Sequence, residues 1–217
     1  MPRPHTTCLI VDYYETFLRD QDLGTFRANV SSRYTEGTLS RLLQADDVQS
    51  RRAAVLALGL IGSYQCNEAL ARALRDHDPA VRELAQGALW AIWFRADAPE
   101  NNAMLLQVRE LNDRRRFAEA EALATRLIQR APLFAEAYNQ RAIALFSQER
   151  FAESAADCRR TLELNPYHFG ALSGLGQCDL RLGRRQEALR TFRRALKIQP
   201  YSEGLRAMIA TLEAEGD

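Results

Sequence analysis

A chain of 217 residues with 47% hydrophobic content is long enough to bury a substantial core as one or two domains. Its 29 basic and 28 acidic residues leave a formal charge of +1, so no global field favours nucleic acid or a membrane surface. Cys8, Cys66, Cys158 and Cys178 lack CxxC spacing and read as thiols in a reducing compartment, all but Cys8 on apolar helix faces. Lys197 is the sole lysine among the basic residues, a bias that fits a GC-rich bacterial genome better than a site.

In chain order, MPRPHT carries two prolines and is expected to form a loose tail. The four-residue apolar run before Asp12 is too short for a secretory signal, and no window reaches the length of a membrane span, so a cytoplasmic protein is expected. From about Thr7, residues Leu9, Ile10, Tyr13, Tyr14, Phe17 and Leu18 recur at helical spacing. They predict a helix that caps the array behind it, giving a tail and cap over residues 1–21.

Between Gln44 and Ala96 the chain repeats with a period of 31: Asp47 and Asp78, Arg51 and Arg82, Ala54 and Ala85, Leu58 and Leu89, Ile61 and Ile92. Thr38 to Leu43 lies against Ala69 to Leu74 at the same shift, and Asp22 to Val30 reads as a shortened first copy that aligns Arg27, Ala28 and Val30 with Arg52, Ala53 and Val55. Asp47 and Asp78 stand just ahead of helical runs, as N-caps do, and Pro79 suits a first helical position. Arg51 and Arg82 follow one turn later, placed either for i,i+4 pairs or for a ladder between stacked repeats. DDVQSRRAAVLALGLIGSYQCNEALARAL and DHDPAVRELAQGALWAIW resemble short HEAT-like repeats, which implies stacked helix pairs over residues 22–98. Trp90, Trp93 and Phe94 then cluster ahead of a break from Ala96 to Asn102, where two superhelices are expected to join.

A second period, of 34, governs residues 99–200. LFAEAYNQRAIALFSQERFAESAADCRRTLELNP is followed by YHFGALSGLGQCDLRLGRRQEALRTFRRALKIQP, and Pro132, Pro166 and Pro200 are evenly spaced. A worn copy runs back from Pro132 to about Glu100, with Met104, Val108, Ala120, Ala124 and Leu127 at the expected offsets. Small residues, Ala142 and Gly176, stand where two helices must approach closely. These blocks resemble the tetratricopeptide repeat, with Tyr138 and Leu172 where that family favours tryptophan and Asp179 where it favours tyrosine. Ser202 is an N-cap candidate for a closing helix over residues 201–217, with Leu205, Met208, Ile209 and Leu212 on one face, an end near Gly216, and Glu203, Glu213, Glu215 and Asp217 outside. The expected fold is all-α: a right-handed solenoid of HEAT-like hairpins, three tetratricopeptide-like repeats and a capping helix.

Catalytic groups are scarce. His5, His77 and His168 fall in a tail and two expected inter-helix loops, and the chain has no HExxH, no metal-ligand spacing, no phosphate-cradling glycine run and no His-Glu dipeptide. Asp76-His77-Asp78 reads as an inter-repeat turn. No enzyme activity, metal or cofactor is therefore expected. The resemblance instead implies a protein or peptide partner held in a concave groove lined by the first helices of successive repeats. Projected on that face are Arg109, Asn112, Asn139, Ile143, Phe146, Ser173, Gln177 and Arg181, whose amides and guanidinium groups suit peptide backbone and carboxylates. One subgroup of the family grips acidic chaperone tails with a clamp of lysines, arginines and asparagines. Leu105, Gly170 and Gly174 occupy places such a clamp needs, so no clamp is expected. Two alternatives stay open: a HEAT-like lyase or cofactor-loading accessory protein, and a nucleic-acid binder using the excess of 11 basic over 6 acidic residues in residues 141–200, through Arg159, Arg160, Arg184, Arg185, Arg193 and Arg194.

Overall fold

The computed structural model describes residues 8–214, which form thirteen α-helices with a short 3₁₀ turn and no strand. The expectations for the tail, for His5, and for the helix end near Gly216 with Glu215 and Asp217 lie outside the described residues. Two compact units divide between Ile92 and Trp93.

In the first unit α1 (Leu9–Asp20) and α2 (Leu23–Arg33) precede two hairpins, α3 (Glu36–Leu42) with α4 (Val48–Ile61) and α5 (Asn67–Ala73) with α6 (Pro79–Phe94). The 31-residue period recurs in the bonding. Asp47 caps α4 by accepting the N–H groups of Gln49 and Ser50, and Asp78 accepts that of Val81 at the head of α6. Arg51 donates to the carbonyls of Ala45 and Asp46, and Arg82, one repeat later, to those of Asp76 and His77. Of the two arrangements open to these charges, the structure adopts the ladder. Arg51 forks onto Asp76 at 2.8 and 3.1 Å, and Arg52 onto Asp78 at 3.0 and 2.6 Å. The Arg52 guanidinium holds the Asp78 carboxyl down to about 2, against a desolvation cost that pushes the other way. The shortened first copy keeps its aspartate cap, Asp22 accepting from Thr25, and its buried Val30, but Arg27 and Ala28 face solvent.

The second unit stacks three hairpins and a closing helix: α7 (Pro99–Asp113) and α8 (Phe117–Arg130), α9 (Ala135–Ser147) and α10 (Phe151–Leu164), α11 (Phe169–Arg181) and α12 (Arg185–Ile198), then α13 (Glu203–Ala214). The worn copy makes the same turns as its neighbours. The N–H groups of Arg116, Arg150 and Arg184 donate to the carbonyls of Leu111, Leu145 and Asp179, each 34 residues after the last. Arg115, Glu149 and Gly183 immediately ahead of them all adopt left-handed backbone, with φ of 60°, 61° and 72°. Only the third repeat supplies the glycine for which that conformation carries no steric cost.

The small residues sit where hairpins close. A Cβ on Gly176 would lie 2.5 Å from the buried ring of Phe192, so glycine and phenylalanine fill one space between them. In the preceding repeat Ala142 and Cys158 hold the equivalent places, both 2% exposed. Ser202 caps α13, which lays Leu205, Ile209 and Leu212 on the core that contains Leu189 and Phe192. The apolar end of the last repeat is thereby covered.

Candidate functional site

The first helices pack directly on one another, α7 on α9 and α9 on α11, whereas α8, α10 and α12 meet the flanking first helices and make no comparable contact among themselves. First helices therefore lie closer together than second helices, which puts them on the inside of the curve. Across that inner face the 34-residue register aligns Arg109, Ile143 and Gln177 in one row, and Asp113, Ser147 and Arg181 in the next.

The eight expected groove residues separate into two groups. Arg109, Ile143 and Arg181 are exposed, and Phe146, Ser173 and Gln177 are half-buried. The two arginines rest on aromatic faces: Arg109 lies 5.1 Å from the Phe94 ring centre, and Arg181 lies 4.3 Å from that of Phe151. Phe146 meets Phe151 edge-on at 5.2 Å and lies 6.0 Å from the same guanidinium. Such contacts hold the side chains in place and leave guanidinium edges free to donate.

Asn112 and Asn139 belong elsewhere. They are 8% and 4% exposed, and their amides bond inward. Asn112 donates to the carbonyl and the side-chain oxygen of Gln140 at 3.0 and 3.1 Å, and Asn139 donates to Glu136 at 2.9 Å. Glu136 also accepts from the Gln140 amide at 2.8 Å, and its second oxygen lies 2.7 Å from Nε2 of His168. His168 caps α11, its Nδ1 accepting the Ala171 N–H at 2.9 Å. Because Nδ1 accepts, Nε2 carries the proton and donates it to Glu136. Trp93 stacks on this imidazole with centroids 4.2 Å apart. A continuous polar chain thus runs from α7 through α9 to α11, with the His168 and Glu136 side chains fully buried.

This chain was not anticipated from the sequence, which placed His168 in a loop and Trp93 at a joint. Its signal was there in part: Glu136 and Gln140 interrupt the apolar positions of α9 one turn apart. A carboxylate without solvent access requires donors, and here Asn139 and Gln140 supply them from the second repeat and His168 from the third, while Asn112 of the first donates to Gln140.

The remaining charged groups are largely paired. Arg141 forks onto Asp157 at 2.7 and 2.8 Å, which raises the guanidinium further above its ordinary range. Of the six arginines considered for nucleic acid, Arg160 pairs with Glu163, Arg193 with Glu213, Arg159 and Arg184 flank Asp179, and Arg185 donates to the Leu212 carbonyl. Burial raises the Asp179 carboxyl, since the two arginines stand 3.6 and 3.8 Å away and one oxygen has no hydrogen bond. Burial and a bond to Glu36 push the Cys66 thiol up to about 11, and Cys158 rises through its contact with Cys178 and burial. Neither is a nucleophile at neutral pH. Among the described residues no group of three or more His, Cys, Asp or Glu side chains could hold a metal ion, and no helix is long and apolar enough to cross a membrane.

Helix hairpins stacked at two fixed periods, with backbone turns that recur in register, define an α-helical solenoid protein. Its two kinds of hairpin match known families: residues 133–200 fit the tetratricopeptide repeat profile and residues 35–124 fit the HEAT repeat profile. Each profile covers less than half of the chain, and the HEAT match runs on into α8. A curated relative, the Hsp70-Hsp90 organizing protein of Triticum aestivum, is 35% identical over 95 residues, which cover 44% of this chain. The chain spans only 16% of that relative's length. Among solved structures, the first TPR of Spaghetti (RPAP3) bound to the HSP90 peptide SRMEEVD matches with a TM-score of 0.53 at 20% identity, over 55% of this chain and 94% of that one. The Sgt2 TPR domain of Aspergillus fumigatus matches with a TM-score of 0.52 at 18% identity, over 55% of this chain and 81% of that one. Both likenesses are of fold.

Proposed function

We propose that this chain is a non-enzymatic interaction scaffold that holds a peptide or protein partner on the inner face of its tetratricopeptide repeats. The observation that carries this reading is the pair of adjoining rows of outward side chains across three consecutive first helices, Arg109, Ile143 and Gln177 in one and Arg181 in the next, with Arg109 and Arg181 each seated on a phenylalanine. The face offers two carboxylate-binding guanidinium groups, an apolar contact and the polar groups of Ser173 and Gln177. The relative is named for organising Hsp70 and Hsp90, and one structural neighbour holds an HSP90 peptide, so partners of that kind are the reference case. This chain has Leu105, Gly170 and Gly174 where a carboxylate clamp needs charged or amide groups, and Asn139 is engaged with Glu136. Weak binding of SRMEEVD is therefore expected, and the partner is a different peptide. The compartment that suits four unpaired thiols is a reducing one such as the cytoplasm.

Selection of peptides from a displayed random library on the purified protein tests the proposal. Selected peptides should lose at least tenfold in affinity against Ile143→Asp and Arg181→Glu variants that keep the wild-type circular dichroism. Peptides that bind these variants as tightly as the wild type would remove the inner face from consideration.

A further inference from the structure

The first unit carries a separate surface, independent of the face just described. From Ala53 to Ile61 helix α4 reads AAVLALGLI, with no polar side chain on any face. A helix apolar all round is normally covered all round. Ala53, Ala54, Val55, Ala57 and Leu58 are buried, but Leu56, Gly59 and Leu60 are only half-buried. They form one wall of an open groove of about 510 Å³ whose other wall is α6, with Tyr14 of α1 against it as well. The α6 wall runs from Ala80 through Leu84 and Gly87 to Ala91. Three turns at 1.5 Å per residue make it roughly 16 Å long. The volume lies within the usual range for ligand sites, and the shape is a trough along two helices.

Three features identify the occupant. Both walls are helices whose backbone groups are internally bonded, so an extended chain would find no sheet edge to pair with, whereas a helix arrives with its own backbone bonds made. Gly87 leaves open space, because a Cβ there would meet no atom within 4 Å, which lets a rounded surface settle between the walls. Glu83 is the one charged residue among the lining groups; it is exposed and has no hydrogen bond or ion pair among the described residues. A carboxylate at the rim repels a fatty-acid head group and attracts a cation. We propose that this groove docks an amphipathic helix of a partner protein. Leucine-like residues at i, i+3 or i+4 and i+7 lie on Leu56, Leu60 and Leu84, and a lysine or arginine pairs with Glu83.

The probe is a fluorescein-labelled amphipathic helical peptide with a leucine face and a lysine face, beside a twin with glutamate in place of lysine, each titrated by anisotropy into the 217-residue chain. The lysine peptide should bind at least tenfold more tightly than its twin, and Glu83→Lys should reverse that order. Gly87→Leu fills open space at an exposed helical position, so it should weaken the lysine peptide at least tenfold without lowering the melting temperature. Unchanged affinity in Gly87→Leu, or a preference that survives Glu83→Lys, overturns the proposal. So does displacement of the peptide by decanoate, which would mark a lipid site, or a wild-type dimer in sedimentation that Gly87→Leu dissociates, which would mark a second copy as the occupant.

Discussion

Replacing His168 with alanine removes three things together. The cap on α11 goes, since Nδ1 no longer accepts the Ala171 N–H, at about 1 kcal/mol. Glu136, whose side chain is fully buried, loses the donor to one of its oxygens, and leaving a buried carboxylate oxygen without its hydrogen bond costs about 2–3 kcal/mol. Trp93 also loses the ring stacked on it. The expected loss is therefore about 3–4 kcal/mol, a large fraction of the stability of a small domain. Glu136→Ala should cost nearly as much, because Asn139, Gln140 and His168 would all lose their acceptor. The double variant should cost about 2–3 kcal/mol less than the two losses added, since neither partner is left facing an empty place. Urea unfolding followed by far-UV circular dichroism measures all three, and hydrogen exchange should show the opening centred on α9 and α11. A His168→Ala loss under about 1 kcal/mol, or strict additivity, would refute the claim that this network ties the repeats together.

Asp78 is held at about 2 in the folded chain and titrates near 3.9 when unfolded, so its contribution is complete above the unfolded value and fades as pH falls toward 2. Asp78→Asn should lower the melting temperature at neutral pH by an amount worth about 1–2 kcal/mol, and the gap from wild type should narrow in acid; a constant gap would deny the role of the Arg52 pair. Asp179 runs the other way. Burial raises its folded value, so it opposes folding at neutral pH, and Asp179→Asn should leave the melting temperature unchanged or higher; a large loss would mean that Arg159 and Arg184 hold it more firmly than 3.6 and 3.8 Å imply. Arg115→Gly and Glu149→Gly should each stabilise by up to about 1 kcal/mol in urea unfolding, because both residues occupy the left-handed turn that Gly183 fills in the third repeat. Loss of stability in both would contradict the equivalence of the three turns.

The periods were legible because each helix hairpin solves the same packing problem with the same residue types. Pro132, Pro166 and Pro200, and Asp47 with Asp78, marked the helix boundaries through local backbone chemistry that needs no knowledge of the rest of the fold. Sequence offered two arrangements for Arg51, an i,i+4 pair with Asp47 or a ladder between repeats, and only the stacking of one hairpin on the next brought Asp76 to it. Asn139 and Ile143 are a turn apart and both projected onto the inner face, but a modest rotation about the α9 axis turns one inward and the other outward. The period alone cannot resolve that angle. Nor could Glu136 and His168, 32 residues apart, be joined by any local pattern. The left-handed turns at Arg115 and Glu149 were hidden for a different reason: the backbone tolerates an unfavourable residue there, and only Gly183 carries the sign.

The most direct test of the scaffold is affinity capture from the native cell extract by the wild-type protein and by a variant carrying Ile143→Asp, Gln177→Ala and Arg181→Ala, read by mass spectrometry. All three positions are accessible on the inner face, so the variant should fold as the wild type does. The expected result is a partner bound by the first and lost by the second. The same partners on both, or none on either, would contradict it.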